Sequence, residues 1–596
     1  MKTIMSGNEA IARGAFECGA TFAAGYPGTP STEIMEQFSQ YEGIYAEWSP
    51  NEKVAVEVAV GAALGGAKAM AVMKHVGVNV AADPLFTVSY TGTNGAFVVV
   101  TADDPSLHSS QNEQDNRHYA RSAKIPMLEP ADSREAKDFV KRAFELSALF
   151  DTPVFLRTTT RVSHSKSIVI LEDHVQPIKK EVERLDPVKY VMVPHNARMR
   201  RVVLEERMQR LRKYAETMSE NRMEINDRRI GIVTAGMPYN YAKEVFPDFS
   251  YLKLGMVYPL PEKMIKSFAA KVGKIYVVEE LDPFLEEQLK AMGIKTVGKD
   301  IFPYSGEFDP GVISEAIKRR PAKKVQLPPV EIPPRPPNLC PGCPHRGLFY
   351  VLGKSKTIVT GDIGCYTLSF MKPLEGLQGC ICMGASIGMA HGLSKSLGAK
   401  GKGKVVGVLG DSTFIHSGIT SLLNTAYNRS DVLTVIADNR TTAMTGMQNH
   451  PGTGLTLQGE KTVELNFEIL AKSLGIPSVR VVDPYDLKGT RTAVREEIGK
   501  PGPSLIISRA PCVLLNRGVA RKRPFKVVEE KCAGCKLCLG LGCPPISWKK
   551  YPAVTERMFE GKPKKVEGAA VIDTSLCTGC SLCEQVCNYG AIVEEE

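Results

Sequence analysis

Over the first 170 positions the spacing of apolar residues changes repeatedly. Short runs that are apolar throughout, such as FVVVT (97–101) and VFLR (154–157), alternate with Gly- and Ala-rich stretches of helical character such as KVAVEVAVGAALGGAKAM. Continuous apolar runs suit strands buried on both faces, and their alternation with helices predicts an α/β unit with a parallel sheet. Residues 171–227 read as a charged helical connection, centred on the amphipathic stretch RMRRVVLEERMQRLRKYAETMSENR (198–222). A second α/β unit is expected over 228–327, with strands RIGIVTAG (229–236) and KIYVVEE (274–280). PPVEIPPRPPN (328–338) is a proline-rich linker, because consecutive prolines favour extended chain and cannot propagate a helix. A third α/β unit runs over 339–525, with strands KVVGVLGD and VLTVIADN, and from 526 to 596 the chain becomes short-looped and dense in cysteine.

Composition narrows the class. A chain of 596 residues with 43% hydrophobic content and mean hydropathy near zero should fold into several globular domains. The longest uncharged stretches, 84–102 and 376–394, are rich in Gly, Ser, Thr, Asn or Gln, which argues against a membrane span. The first residues lack the basic and apolar pattern of an export signal, so the expected location is the cytoplasm. There, 15 cysteines are expected to be ligands or packed thiols rather than disulfides. The net charge of +10 is concentrated in 198–222 and in RKRPFK (521–526). Neither is interleaved with aromatics, so both read as solvated faces or linkers, with no nucleic-acid site; an acidic partner protein suits the charge better.

The tail carries the strongest motif. CAGCKLCLGLGC supplies Cys532, Cys535, Cys538 and Cys543, and CTGCSLCEQVC supplies Cys577, Cys580, Cys583 and Cys587. Together they resemble a bacterial ferredoxin with two 4Fe-4S clusters. In such domains the fourth cysteine of each run ligates the other cluster. The resemblance therefore implies one cluster on Cys532, Cys535, Cys538 and Cys587, and a second on Cys577, Cys580, Cys583 and Cys543. The first run has one extra residue before its last cysteine, and no proline follows Cys587; neither departure removes a thiolate. The alternative is a pair of zinc ribbons, but zinc sites use CxxC pairs with longer spacers rather than two consecutive triplets.

Something upstream must supply electrons. GDSTFIHSGITSLLNTAYNRSDVLTVIADN opens with Gly410, Asp411 and Ser412 and closes on Asn439. It resembles the thiamine diphosphate fingerprint, with Ser412 where the family has glycine. Mg²⁺ prefers one or two carboxylate or amide oxygens together with phosphates. The resemblance implies Asp411, the Asn439 side chain and the Thr441 carbonyl as its protein ligands. MGASIGMAHG (383–392) is similar to the helix start that binds the diphosphate, with Met383 under the bent cofactor, or simply in the core, and Gly384 beside it. YPGTPSTE (26–33) and NEKVAVEVAVGAALGGA (51–67) resemble the pyrimidine domain of the 2-oxoacid:ferredoxin oxidoreductases. By that resemblance Glu52 is the acid–base group facing the aminopyrimidine. Glu57, in the same helix, is the competing candidate, and the spacing from Glu52 to Gly61 favours Glu52. Thr29 would touch substrate, and His75, in KHVGVNVAADPL, would lie near the reaction centre or be a satisfied structural histidine.

A third cluster is implied by Cys340 and Cys343 of CPGC with Cys365 and Cys512, which match the cysteines nearest thiamine in the same family; a zinc site or free thiols are the alternatives. Cys380 and Cys382 read as packing residues. The resemblance covers nearly the whole chain. It implies two thiamine-type parallel-sheet domains, a transketolase-C-like domain and a bacterial-type ferredoxin domain carrying two 4Fe-4S clusters. The domain order, with DDPSLHSSQNEQDNR (103–117), is most like the α subunits of the family's indolepyruvate-oxidising branch. The implied reaction is oxidative decarboxylation of an aryl 2-oxoacid through a thiamine enamine. Single electrons pass to the clusters and on to an external ferredoxin, and coenzyme A takes the acyl group. A separate, smaller β subunit in an α2β2 assembly is also implied. The same chemistry on another 2-oxoacid, a non-redox thiamine lyase with a metal tail, and an electron-transfer subunit are the alternatives.

Overall fold

Strand Ala96–Asp103 is buried at every residue, as its unbroken apolar run requires, and lies inside a sheet covered on both faces. The computed structural model describes residues 1–177, 184–320, 336–515, 522–559 and 561–595. It forms two units, 1–330 with 457–460, and 331–456 with 461–596. In the first unit a seven-stranded sheet has the order Met256–Tyr258, Met127–Leu128, Val154–Thr159, Ala96–Asp103, Lys68–Lys74, Phe22–Gly25, Tyr45–Trp48. All its pairings are parallel except that of the edge strand Met256–Tyr258. A second sheet has the order Thr296–Val297, Lys274–Val278, Asp227–Thr234, Phe249–Lys253, Arg222–Glu224.

Two expected domain divisions and the reading of one helix are corrected by this topology. Residues 228–327 do not stand apart from 1–170, because Met256–Tyr258 completes the first sheet and one apolar core contains both Phe97 and Leu252. The 227/228 division cuts a sheet, since Arg222–Glu224 pairs with Phe249–Lys253. The charged stretch is helix Pro194–Ala215, and it is more than a solvated connection. Its Leu204, Arg207, Met208 and Leu211 are buried, so the apolar stripe of the helix completes the core, with Arg207 the one charge of the helix buried alongside it.

The segment 103–117 welds the two sheets of this unit. Arg117 is 1% exposed and pairs with Asp115 and, at 2.7 Å, with Glu279, while its Nη2 also donates to the Glu280 carbonyl. Beside it Arg157 is held 2.7 Å from both Asp103 and Glu129. Buried charges survive only when paired and hydrogen-bonded in this way.

In the second unit a six-stranded, all-parallel sheet has the order Gly379–Cys380, Ile358–Gly361, Val405–Gly410, Leu433–Asp438, Ser504–Arg509, Ser478–Val482. The expected boundary at 525/526 falls inside strand Phe525–Val527, which pairs with Ile592–Glu594 at the end of the chain. The tail shares its core with the sheet domain: Leu348, Tyr350, Leu541, Leu582 and Ile592 belong to one apolar cluster. Between the two cysteine runs the tail carries a long antiparallel hairpin, Ile546–Phe559 with Lys562–Ile572. Of the linker 328–338, residues 328–335 lie outside the described residues, as do 516–521. Among the described residues no helix is long and apolar enough to cross a membrane.

Arg117→Met leaves the Asp115 and Glu279 carboxylates buried without their partner, and is expected to cost about 3–5 kcal/mol of stability. Denaturant unfolding of the full chain measures this, and a loss below about 1 kcal/mol would contradict the role given to this pair.

Candidate active site

The loops that leave the carboxyl edge of the first parallel sheet bring the predicted residues of the front half together. Asn51 caps helix Glu52–Leu64 by accepting from the Val54 N–H, which leaves Glu52 as its first residue, where the helix dipole favours a carboxylate. Glu52 is only 5% exposed. Gly77, in helix His75–Val80, passes so near that a Cβ there would sit 2.6 Å from Glu52 Cγ and 2.8 Å from Oε1. Glu57 is exposed and paired with Lys53, so the two glutamates of this helix differ in burial.

The Thr29 loop joins the same edge. A Cβ on Gly28 would lie 3.1 Å from Lys74 Cγ, and the Thr29 carbonyl accepts from the Ser109 hydroxyl at 3.1 Å. Burial lowers the Lys74 pKa to about 8, against the opposing pull of Asp104 and Glu52. His75 is fully buried with Nε2 3.1 Å from the Asn112 carbonyl, and burial lowers its pKa. A neutral ring donating from Nε2 ties down the 104–116 loop, which favours the structural reading of His75.

The edge of the second parallel sheet gathers the other predicted set. Asp411 follows strand Val405–Gly410 and Asn439 follows Leu433–Asp438. Their loops are joined where the Thr442 hydroxyl donates to Ser412 Oγ at 3.0 Å, and within the second loop the Thr441 N–H donates to Asn439 Oδ1 at 3.3 Å. Asp411 is 2% exposed; burial would raise its pKa, but His450 and the Ser412 N–H hold it below the usual value. Its Oδ2 lies 3.2 Å from His450 Nε2, and neither atom is aligned for a hydrogen bond with any described partner. A buried carboxylate oxygen left over in this way fits a hard cation. His345, whose pKa burial lowers to about 4, stays neutral and stands 3.3 Å from Asn439 Nδ2. Gly384 has a positive φ of 86° and starts helix Ala385–Leu397; a Cβ there would meet Ser417 Cβ at 2.5 Å. Met383 beside it is half-buried.

The cysteines form three groups. Cys532, Cys535, Cys538 and Cys587 line one cavity, and Cys543, Cys577, Cys580 and Cys583 line another, so the fourth cysteine of each run crosses to the other's cavity. The Ala591 N–H donates to Cys587 Sγ at 3.3 Å and the Phe525 N–H to Cys577 Sγ at 3.4 Å. In the third group burial pushes Cys343 up to about 12 and Cys365 to about 11, and the thiols of Cys340, Cys343, Cys365 and Cys512 are close enough to influence one another. Such thiols stay protonated unless a metal centre takes the thiolate. Among the described residues no three cysteine sulfurs lie mutually within 4.8 Å. The third group adjoins the Asp411 loops, because the Cys512 N–H donates to the Asn439 carbonyl at 2.9 Å. Cys382 is exposed rather than a packing residue; Cys380 packs against the core.

Several residues of this site were missed in the sequence. Lys74 and Gly77 stand inside the quoted KHVGVN segment, and His345 and Arg346 directly follow CPGCP. Proximity to known motifs was the available signal for all four. Asp362, which accepts from the Ser386 N–H and hydroxyl at the start of helix Ala385–Leu397, stands three residues before Cys365 and had the same signal, whereas His450 had none. The crossed cavities predict that Cys587→Ser disturbs only the iron centre of the Cys532 group, and Cys543→Ser only that of the Cys577 group. Electron paramagnetic resonance of the reduced protein reads this; both substitutions removing the same signal would contradict the pairing.

Comparison with known proteins agrees with this geometry. Residues 13–229 match the family described as pyruvate flavodoxin/ferredoxin oxidoreductase, thiamine diP-bdg, residues 362–508 match the C-terminal TPP binding domain of thiamine pyrophosphate enzymes, and residues 570–593 match a 4Fe-4S binding domain. The indolepyruvate oxidoreductase subunit IorA of Archaeoglobus fulgidus is 41% identical, the match covering 99% of this chain and 97% of that one. The subunit of the same name from Pyrococcus horikoshii is 41% identical over 99% and 96%, and that from Methanothermobacter marburgensis 38% over 100% and 97%. With a pyrimidine-type edge, a diphosphate-type edge and crossed cysteine cavities on one polypeptide, at this identity over nearly its full length, the chain belongs to the family of indolepyruvate oxidoreductase IorA subunits.

Proposed function

We propose that this chain is the thiamine- and cluster-bearing subunit of an enzyme that oxidatively decarboxylates aryl 2-oxoacids, indolepyruvate among them, to the acyl-coenzyme A and CO2, and passes the electrons to ferredoxin. The observation that carries the reading is the Cys512–Asn439 hydrogen bond, which puts a cysteine group against the loops that suit Mg²⁺ and diphosphate. A decarboxylase that only protonates its product needs no electron route there.

When bound, thiamine diphosphate supplies the nucleophile that attacks the keto carbon, and the iron centres supply the one-electron steps. The chain's own residues prepare that chemistry. Glu52 exchanges a proton with the aminopyrimidine from a buried helix start, and Gly77 leaves the room its side chain needs. Asp411, the Asn439 side chain and the Thr441 carbonyl hold Mg²⁺, and the N-terminus of helix Ala385–Leu397, opened by Gly384, faces the diphosphate. Thr29 and Lys74 bind the 2-oxoacid, with Lys74 as the cation for its carboxylate. Cys340, Cys343, Cys365 and Cys512 hold a cluster, as do the two crossed groups of the tail. A smaller β subunit completes an α2β2 assembly, and the working compartment is the cytoplasm; the names of the relatives as subunits and the 15 unpaired cysteines support these two points.

The test is anaerobic ferredoxin or dye reduction by the assembled enzyme with coenzyme A and indolepyruvate, phenylpyruvate, pyruvate or 2-oxoglutarate. Arylpyruvates should be preferred; a preference for pyruvate overturns the substrate, and absence of iron overturns the chemistry. Glu52→Gln should lower the rate by about 10²–10⁴-fold with the protein still folded. Lys74 carries its charge below pH about 8 and loses it above. The KM for the 2-oxoacid should therefore rise as pH passes upward through that value, and Lys74→Met should abolish the dependence.

A further inference from the structure

Arg346 is the feature the mechanism above leaves unused. It lies in helix His345–Lys354, just after CPGCP, and is 1% exposed. Its Nη1 donates to the Leu541 carbonyl at 2.6 Å, and its Nη2 to the carbonyls of Leu339 at 2.7 Å and Cys340 at 3.2 Å. All these acceptors are neutral backbone groups. Its Nε is buried with no acceptor among the described residues. A guanidinium stays charged at any working pH, and a buried charge without a counter-charge is costly. Among the described residues every other arginine below 3% exposure has a carboxylate within 4 Å, and Arg346 has none: Arg117, Arg157 and Arg207 pair with Asp115, Asp103 and Asp151.

The position of this charge explains what it answers. Arg346 lines the cavity enclosed by Cys543, Cys577, Cys580 and Cys583, and Leu541, which it holds, is two residues from Cys543. Its other hydrogen bonds grip the loop of Cys340 and Cys343. The CPGC loop also lies against the CTGC loop, since a Cβ on Gly342 would fall 2.0 Å from Thr578 Oγ1. The guanidinium thus stands between two groups of buried thiols and is held to both.

We propose that Arg346 is the buried counter-charge for the electron that moves between these two cysteine groups, raising the reduction potential of the cluster held by Cys543, Cys577, Cys580 and Cys583. This rests on the iron-sulfur reading above. The step is a single electron transfer in which the cluster of the CPGC group is oxidised by one electron and that of the Cys543 group reduced by one; no bond forms or breaks. A cluster bound by four thiolates is an anion and becomes more negative on reduction, and its potential depends on nearby charge, hydrogen bonds and solvent exposure. A fixed cation that water cannot screen therefore favours the reduced state.

Redox titration followed by electron paramagnetic resonance tests this on the anaerobically purified enzyme with its partner subunit, as wild type, Arg346→Gln and Arg346→Lys. The signal is assigned as the one that Cys543→Ser removes. Arg346→Gln with full iron content should lower that midpoint by at least the equivalent of a tenfold change in the reduced-to-oxidised ratio, about 59 mV for one electron. The signal that Cys587→Ser removes should stay in place, and Arg346→Lys should keep the wild-type midpoint. An unchanged midpoint in Arg346→Gln overturns the inference. So does an Arg346→Lys midpoint as low as that of Arg346→Gln, since the hydrogen-bonded fork rather than the charge would then matter. If Arg346→Gln loses iron, Arg346→Lys decides alone: a wild-type midpoint supports the counter-charge and a lowered one overturns it. Wild-type protein without iron would instead sink the functional reading beneath it.

Discussion

A parallel sheet delivers all its outgoing loops to one edge, and this constraint organises both halves of the chain. In the first unit it collects the Thr29 loop, the helix that begins at Glu52 and the turn from Lys74 to Gly77. In the second it collects Asp411, Asn439 and Thr441, with His345 and His450 beside them. Neither edge could be assembled from neighbours in sequence: Glu52 and Gly77 are in contact across 25 positions, and Asn439 meets His345 across 94.

Close packing then links chemistry that the sequence keeps apart. The tail is part of the second unit's core rather than an appended module, and the reason is visible at Gly342. Without a side chain there, the CPGC loop lies directly on the CTGC loop. Arg346 spans the same contact with hydrogen bonds to both sides. Electron transfer needs its carriers close and fixed, and a shared apolar core with a buried cation at the junction supplies both. The first unit uses a comparable device for stability, with Arg117 joining its two sheets through the buried Glu279 carboxylate.

Much of this was legible in the residues. Cysteine runs, the Gly-Asp to Asn spacing and the glutamate helix are local patterns, and local patterns survive in sequence. The fully apolar run 97–101 announced a central parallel strand for the same reason. The boundaries at 227 and 525 were misplaced because strand pairing ignores chain order: Arg222–Glu224 pairs with Phe249–Lys253, and Phe525–Val527 pairs with the end of the chain. Helix Pro194–Ala215 read as solvated because charge outnumbers its apolar stripe, although Leu204, Met208 and Leu211 are enough to bury one face.

The sequence by itself determined which ligands this chain carries: their types, their local spacing and the helix and strand ends that present them. Only the tertiary structure shows that Glu52 is buried while Glu57 is exposed, because burial depends on what packs opposite. Only it brought Cys543 and Cys587 each into the other run's cavity, a pairing the motif could suggest by likeness alone. Arg346 makes the difference plainest. In sequence it is one basic residue among 75 lysines and arginines. Its meaning comes from exclusion of water and from the lack of a carboxylate beside it among the described residues, and those are properties of the surrounding fold.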